Sequence, residues 1–388
     1  LESTFDQPIA PKDAADAERL FEQRASVHVA AAHELLHEIA SDLDPQNCGI
    51  GWWAPYPDDK RRIFIADYLV QCASSVVGNL VEAALHVLEA ESAHKAVSAQ
   101  MAHSLKVAGR GATGYNLEFA FPPATSLTDL LPNKEFDLHV AGFFRAIGST
   151  MDTLAAVAVG VGGFEKDILQ IHFRKLFLDL KASPPPRTAG GQFQRRISEV
   201  IDDAVKNAAP AGWLDWALDY RNMLVHRGRR TRVWNVEPES GSPVLDPRGL
   251  PIPRARMVYH LARDPKNSDI QAYFGASSEP SRLWNLLEED GTKALRRTLE
   301  AVTFIVNKTC QILVGVWRER RDAPGALRQP KAQWPNVAVQ PDQFAGFEPG
   351  SARLQPQALQ SSPLEARRVG AAAVLNDAQR SRWRKFTG

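Results

Sequence analysis

Residues 213–232 read WLDWALDYRNMLVHRGRRTR. On a helical wheel at about 100° per residue, Asp215, Asp219, Asn222, His226 and Arg229 fall in one narrow stripe. Nearly everything else is apolar: Trp213, Leu214, Trp216, Ala217, Leu218, Tyr220, Met223, Leu224 and Val225. Arg221 lands at the edge of the apolar part, beside Leu214, Leu218 and Val225. A helix this apolar must be mostly buried, so other helices have to surround it. Inside such a packing a polar stripe and an arginine persist only if they are paired or face a polar groove. Gly228 lets the chain leave the helix just after the imidazole. Arg227, Arg229, Arg230 and Arg232 gather positive charge at that exit.

Helical periodicity extends on both sides of this stretch. Residues 13–43 read as one helix, with Leu20, Val27, Ala31, Leu35 and Ile39 at helical spacing, and 62–105 as a second long helix or helix pair. Residues 110–135 read mostly as loop, with Pro122, Pro123 and Pro132. A third helix is expected over 137–159, a fourth over 164–182, a fifth over 192–208 and a sixth over 212–227. TRVWNVEP and ARMVYHLA then form short β-prone runs around SGSPVLDPRGLPIP, which predicts a β-hairpin or irregular arm at about 230–262. A last long helix is expected over 281–319, where Leu295, Leu299, Val302, Val306, Leu313 and Val316 keep a bundle spacing. Beyond 322 the Pro-, Gln- and Ala-rich composition predicts an extended tail with one weak helix near 363–385 and a basic end, RSRWRKF. The expected fold is therefore all-α, a multi-helix bundle with a small β-hairpin insertion and an extended tail. Its expected parts are an N-terminal helical region (1–134), a helical domain (135–321) and the tail (322–388).

The 388 residues, 44% hydrophobic and 23% charged, suffice for a large core. A formal net charge of +1 means that any nucleic-acid partner must be held by local basic patches. Cys48, Cys72 and Cys310 are too few and too scattered for a disulfide framework or a zinc cluster. The start, LESTFDQPIAPKD, shows no signal-peptide pattern and is given no weight. The longest apolar run, MDTLAAVAVGVGGF, is shorter than the roughly 20 residues that span a bilayer, so a cytoplasmic protein with no membrane association is expected.

The residues of the sixth helix suit metal-independent RNA cleavage. RNA carries its own nucleophile, the 2′-OH, next to the scissile phosphate. A histidine can take or give a proton near neutrality. An arginine keeps its charge and offers a fork of donors to phosphate oxygens. Asn222 lies one turn before His226, within reach to orient the imidazole or contact substrate. The products would be a 2′,3′-cyclic phosphate and a 5′-OH, and no cofactor is expected.

RNMLVH at 221–226 resembles the R-x(4–6)-H motif of the HEPN superfamily, in which a polar residue directly after the arginine is typical. FFRAIGSTMDTLAAV resembles the apolar helix that precedes the motif in those bundles. The resemblance covers about 135–320 and assigns catalysis to Arg221, Asn222 and His226. It implies a helical-bundle endoribonuclease that dimerises so that two motifs face each other across a two-fold axis. It also implies a toxin, abortive-infection or anti-phage role, with an antitoxin or defence-system protein as partner. Arg227, Arg229, Arg230 and Arg232 are the expected RNA contacts. The alternative within the same family is a non-catalytic module that holds a nucleotide or a partner.

Other motifs compete. HELLH at 33–37 matches H-E-x-x-H, which would make His33 and His37 zinc ligands, Glu34 a general base and Glu82 a candidate third ligand of a metallopeptidase. Against this, His33 and His37 lie away from the Leu35/Ile39 side, as on a solvated face, and the strands expected around such a site are missing. GRGATG at 109–114 follows a helix and not a strand, so it does not read as a dinucleotide site. Asp152, a lone acid in an apolar stretch, reads as a buried partner for an arginine. RSRWRKF suits RNA or partner contact, with a solvated charged end as its commoner explanation.

Overall fold

The computed structural model describes residues 19–20, 22–23, 27–42, 59–108, 127–182, 185, 188–226, 233–238, 244–245, 251–252, 255–267, 286–322, 346–348 and 350. The described chain is mostly helical. Its elements are α1 (Ala30–Asp42), α2 (Asp59–Ala108), α3 (Leu127–Gly162), α4 (Phe173–Ala182), α5 (Ala189–Ala208) and α6 (Trp213–His226), then β1 (Val233–Pro238), β2 (Val244–Leu245), β3 (Pro251–Ile252), β4 (Ala255–His260) and α7 (Gly291–Asp322). The GRGATG segment, Cys48, and the expected weak helix near 363–385 with the basic end fall outside the described residues.

Several boundaries differ from expectation for identifiable reasons. The first helix is not continuous over 13–43, because Val27–Val29 is non-helical with Val27 and Val29 both buried and His28 exposed between them. Burying alternate residues requires an extended path, since positions two apart on a helix point roughly 200° apart. The third helix starts at Leu127 and carries Pro132 inside it. A proline so near a helix start removes a hydrogen bond where the ladder has barely begun, at less than the full interior cost of about 3 kcal/mol. The expected domain boundary at 134/135 therefore falls within α3.

The fourth helix begins at Phe173 instead of 164. Gly163, at φ 60°, ends α3. Phe164 donates its N–H to Val159 O at 3.1 Å and Gly163 to Gly160 O at 3.4 Å, the paired bonds of a Schellman cap. Asp152 then caps α4 by accepting from the Phe173 N–H at 3.1 Å, and it lies 3.7 Å from His172 Nδ1. This gives the acid a structural duty at the start of α4, beside the arginine pairing expected from the sequence.

Contacts group the chain into two units: Leu1–Val29, Gly78–Thr150 and Val205–Ile305 in the first, and Ala30–Val77, Met151–Ala204 and Val306–Gly388 in the second. Residues of α2, α3 and α7 belong to both. In the first unit the expected arm is an antiparallel hairpin, β1 on β4, with Val233 opposite His260 and Pro238 opposite Ala255, and with β2 on β3 nearer its tip. Met257, Val258 and Tyr259 are buried in succession, so both faces of β4 are covered there. Tyr259 meets Phe136 of α3 edge-on at 4.7 Å, His94 of α2 bonds Met257 O at 3.1 Å, and Trp216 Nε1 of α6 donates to Ala262 O at 2.9 Å. The hairpin is thus fastened to three helices.

In the second unit α7 is clamped to α1. Trp317 Nε1 donates to Asp42 at 2.6 Å, Arg321 to Asp42 and Glu38 at 2.9 Å, and Arg318 to Glu34 and Glu38 at 2.8 Å. Burial alone would raise the Glu38 carboxyl, but hydrogen bonds from Arg318 and Arg321 outweigh it and hold it below the usual carboxylate range. Close packing of α2 on α3 here needs Gly160, since a Cβ there would sit 2.2 Å from Leu69 Cδ2. Cys72 and Cys310 are buried free thiols, pushed up by burial to about 11 and about 12, which leaves them protonated and unreactive.

Three helices contain stretches long and apolar enough to cross a membrane: Ile65–Gln100, Leu131–Gly162 and Gly291–Asp322. This corrects the expectation that no stretch reaches that length. Counting uninterrupted apolar residues misses long helices in which scattered polar positions leave a high mean hydropathy. Many of those polar positions are exposed, among them Gln71, Glu82, Glu89 and Lys95 on α2 and Glu300, Lys308 and Gln311 on α7, while Thr150 on α3 and Thr298, Thr309 and Arg320 on α7 are buried.

Candidate active site

Helix α6 starts from Gly212, whose φ of 87° makes the turn out of Pro210 that a residue with a Cβ would enter only under strain. Trp216 N then bonds Gly212 O at 3.0 Å. Leu214, Ala217, Tyr220 and Met223 are buried, at the three-residue spacing of one inward face. Phe144 of α3 organises that face, stacking on Tyr220 at 4.3 Å and meeting Trp216 edge-on at 5.6 Å. These contacts fix the rotation of α6 against α3, and so fix which side chains remain at the surface.

The exposed side carries Asp215, Asn222 and Val225, with Leu218 and Arg221 half-buried beside them. Val225 is 45% exposed, so α6 is less enclosed than its composition suggests. Arg221 Nη1 donates to Asn222 Oδ1 at 3.0 Å. Sequence reasoning gave Asn222 the task of orienting His226 or touching substrate; here its carbonyl oxygen holds the guanidinium. Asp219 of the polar stripe is engaged by Lys266 at 2.8 Å. His226 is the last residue of α6, and its side chain, with Arg227, Arg229, Arg230 and Arg232, lies outside the described residues.

The stem of Arg221 lies against Gly148 of α3. A Cβ at Gly148 would come 2.9 Å from Arg221 Cγ and 3.2 Å from Nε. Gly148 is thus the floor under the arginine, a role invisible to motif reading, although it sits in the FFRAIGSTMD helix singled out above. Gly148→Ala is expected to push the guanidinium outward while sparing the fold, because alanine in mid-helix gains about 0.5–1 kcal/mol of propensity over glycine. Any activity that depends on the placement of Arg221 should fall roughly 10- to 100-fold, as displacement of a functional group by about 1 Å does, with the melting temperature unchanged or higher. Parallel activity and thermal-melt assays check this.

The residues of the competing zinc motif are placed on α1. His33 is half-buried, His37 is exposed, and Glu34 accepts from Arg318 at 2.8 Å. Glu82 stands on α2, 3.5 Å from His86 Nε2. Among the described residues no three His, Cys, Asp or Glu side chains converge as a metal set.

No protein-family model, curated protein or solved structure matches the chain.

Proposed function

We propose that the protein is a metal-independent endoribonuclease of the HEPN type, with Arg221, Asn222 and His226 as its catalytic residues. The observation that carries this reading is the seating of Arg221. Its stem lies in the space left by Gly148, its head is tied to Asn222, and the pair borders the open side of α6. A guanidinium preset in this way meets a phosphate without first giving up rotamer freedom. His226, one turn beyond Asn222, takes the 2′-OH proton, the 2′-oxygen attacks phosphorus as the P–O5′ bond breaks, and the 5′-oxygen leaves as a hydroxyl on taking a proton back from the His226 imidazolium. Arg221 offsets the charge that builds on the phosphate oxygens.

Exposed Val225 and half-exposed Leu218 beside Asn222 suit a two-fold contact through α6 that would pair two motifs over one groove. The basic run after the helix would hold the RNA backbone. A soluble, cytoplasmic protein is proposed, since the outward positions of the three apolar helices are largely polar or charged. A role as a toxin or anti-phage effector, held in check by a partner protein, extends the same reading.

The test is incubation of RNA with wild type and with His226→Ala in EDTA. Wild type should release fragments ending in 2′,3′-cyclic phosphate, and the variant should cut at least about 100-fold more slowly. Equal behaviour of the two proteins would favour the nucleotide- or partner-binding module.

A further inference from the structure

The first unit holds a second histidine constellation that the proposed reaction does not use. His86 of α2 and His139 of α3 face each other Nδ1 to Nδ1 at 3.0 Å. Their ring centres are 5.3 Å apart. The difference, about 2.3 Å, is what two imidazole centre-to-nitrogen lengths add up to, so the facing nitrogens lie almost on the line between the rings. One ring donates its Nδ1–H and the other accepts. This leaves room for a proton and not for a metal ion, whose bonds of about 2.0–2.1 Å would hold the nitrogens farther apart on converging lone pairs.

The clasp is built into the helix crossing. The ring of His86 occupies the space where Gly142 lacks a side chain, since a Cβ there would lie 2.2 Å from His86 Nε2. Glu82, one turn earlier on α2, stands 3.5 Å from that same Nε2. Glu82 on α2 and His139 on α3 are the charged or titratable groups that act on His86 from the two helices.

We propose that the His86–His139 pair is an acid-sensitive clasp that closes α2 onto α3 at neutral pH and is released by a second proton. With both rings neutral, or with one proton added, an N–H still points at a lone pair. With both rings charged, two N–H groups oppose each other at 3.0 Å and the bond becomes a repulsion. Burial first, and the His139 charge second, hold the pKa of His86 below the ordinary histidine value, against the pull of Glu82. The unfolded chain therefore takes up this proton before the folded one does. Stability is full above about pH 6.5 and declines as pH falls toward the lowered value of His86. His94, also lowered chiefly by burial, adds a loss of the same sign in the same window.

The test uses the full chain and no activity readout, so its failure and that of the ribonuclease reading are separable. Imidazole resonances are followed by NMR from about pH 8 to about pH 5, with melting temperatures over the same range. In wild type His86 titrates below the ordinary histidine value, and melting falls as the solution is acidified. His139→Gln should move the His86 titration upward and reduce the acid-induced fall without abolishing it, since the burial of His86 and of His94 remains. Glu82→Gln, an exposed change that spares the packing, should move the His86 titration downward and serves if His139→Gln does not fold. A His86 titration that responds to neither substitution overturns the clasp.

Discussion

In the proposed ribonuclease reaction, Arg221→Ala is expected to slow RNA cleavage by about 100- to 1000-fold while the protein stays folded and helical. The size follows from what the guanidinium is asked to do. In the proposed reaction it stabilises charge that develops only in the transition state, and removing one such preset donor costs about 3–4 kcal/mol of barrier in comparable oxyanion sites. The cost to folding should be small, because the head of Arg221 is bonded to the exposed Asn222 and its stem covers a glycine. Arg221→Lys separates charge from geometry. Lysine keeps the positive charge and loses the planar fork, so cleavage should recover only in part. Single-turnover cleavage in EDTA, set beside circular dichroism, makes the measurement. Full activity in Arg221→Ala would remove the arginine from the reaction and with it the case for this site.

Much of the architecture could be read from residue patterns, and the reason lies in where the pattern is strong. The sixth helix, expected over 212–227, spans Trp213–His226, because nine apolar side chains in fourteen residues leave few other ways to bury them. The hairpin from TRVWNVEP to ARMVYHLA is present with β1 on β4, since β-branched and aromatic runs separated by a Pro/Gly-rich tip favour pairing. What escaped was decided by contacts distant in sequence. The start of α4 depends on the Asp152 carboxylate, 21 residues away, accepting from Phe173 N–H. The half-exposed position of Arg221 depends on Gly148 lying beneath it on another helix, and the pairing of His86 with His139 depends on Gly142. A glycine in an apolar helix looks like a weak spot until the side chain that fills its space is known.

The largest expected loss of stability comes from a residue no motif singled out. Arg320 of α7 is fully buried, and its Nη1 donates to Gly160 O at 2.6 Å and to Val161 O at 3.3 Å. These carbonyls end α3, where the last turn has no intrahelical donors and the helix dipole concentrates negative charge. The cap at Gly163 already uses Val159 O and Gly160 O, so Arg320 supplies what backbone bonds leave short, above all at Val161. Its guanidinium carbon also lies 5.6 Å from the Trp317 ring centre, on the indole whose N–H grips Asp42. Arg320→Ala removes the charge, opens a cavity and strands buried carbonyls together, for which a loss of about 3–5 kcal/mol is expected. Arg320→Met fills most of the volume and also removes the cost of burying a cation, so its loss should be only about 1–2 kcal/mol. Urea denaturation of both variants distinguishes the contributions. A large loss in alanine with a small one in methionine assigns the duty to volume, while equal large losses assign it to the carbonyls at the end of α3, which only a donor can satisfy.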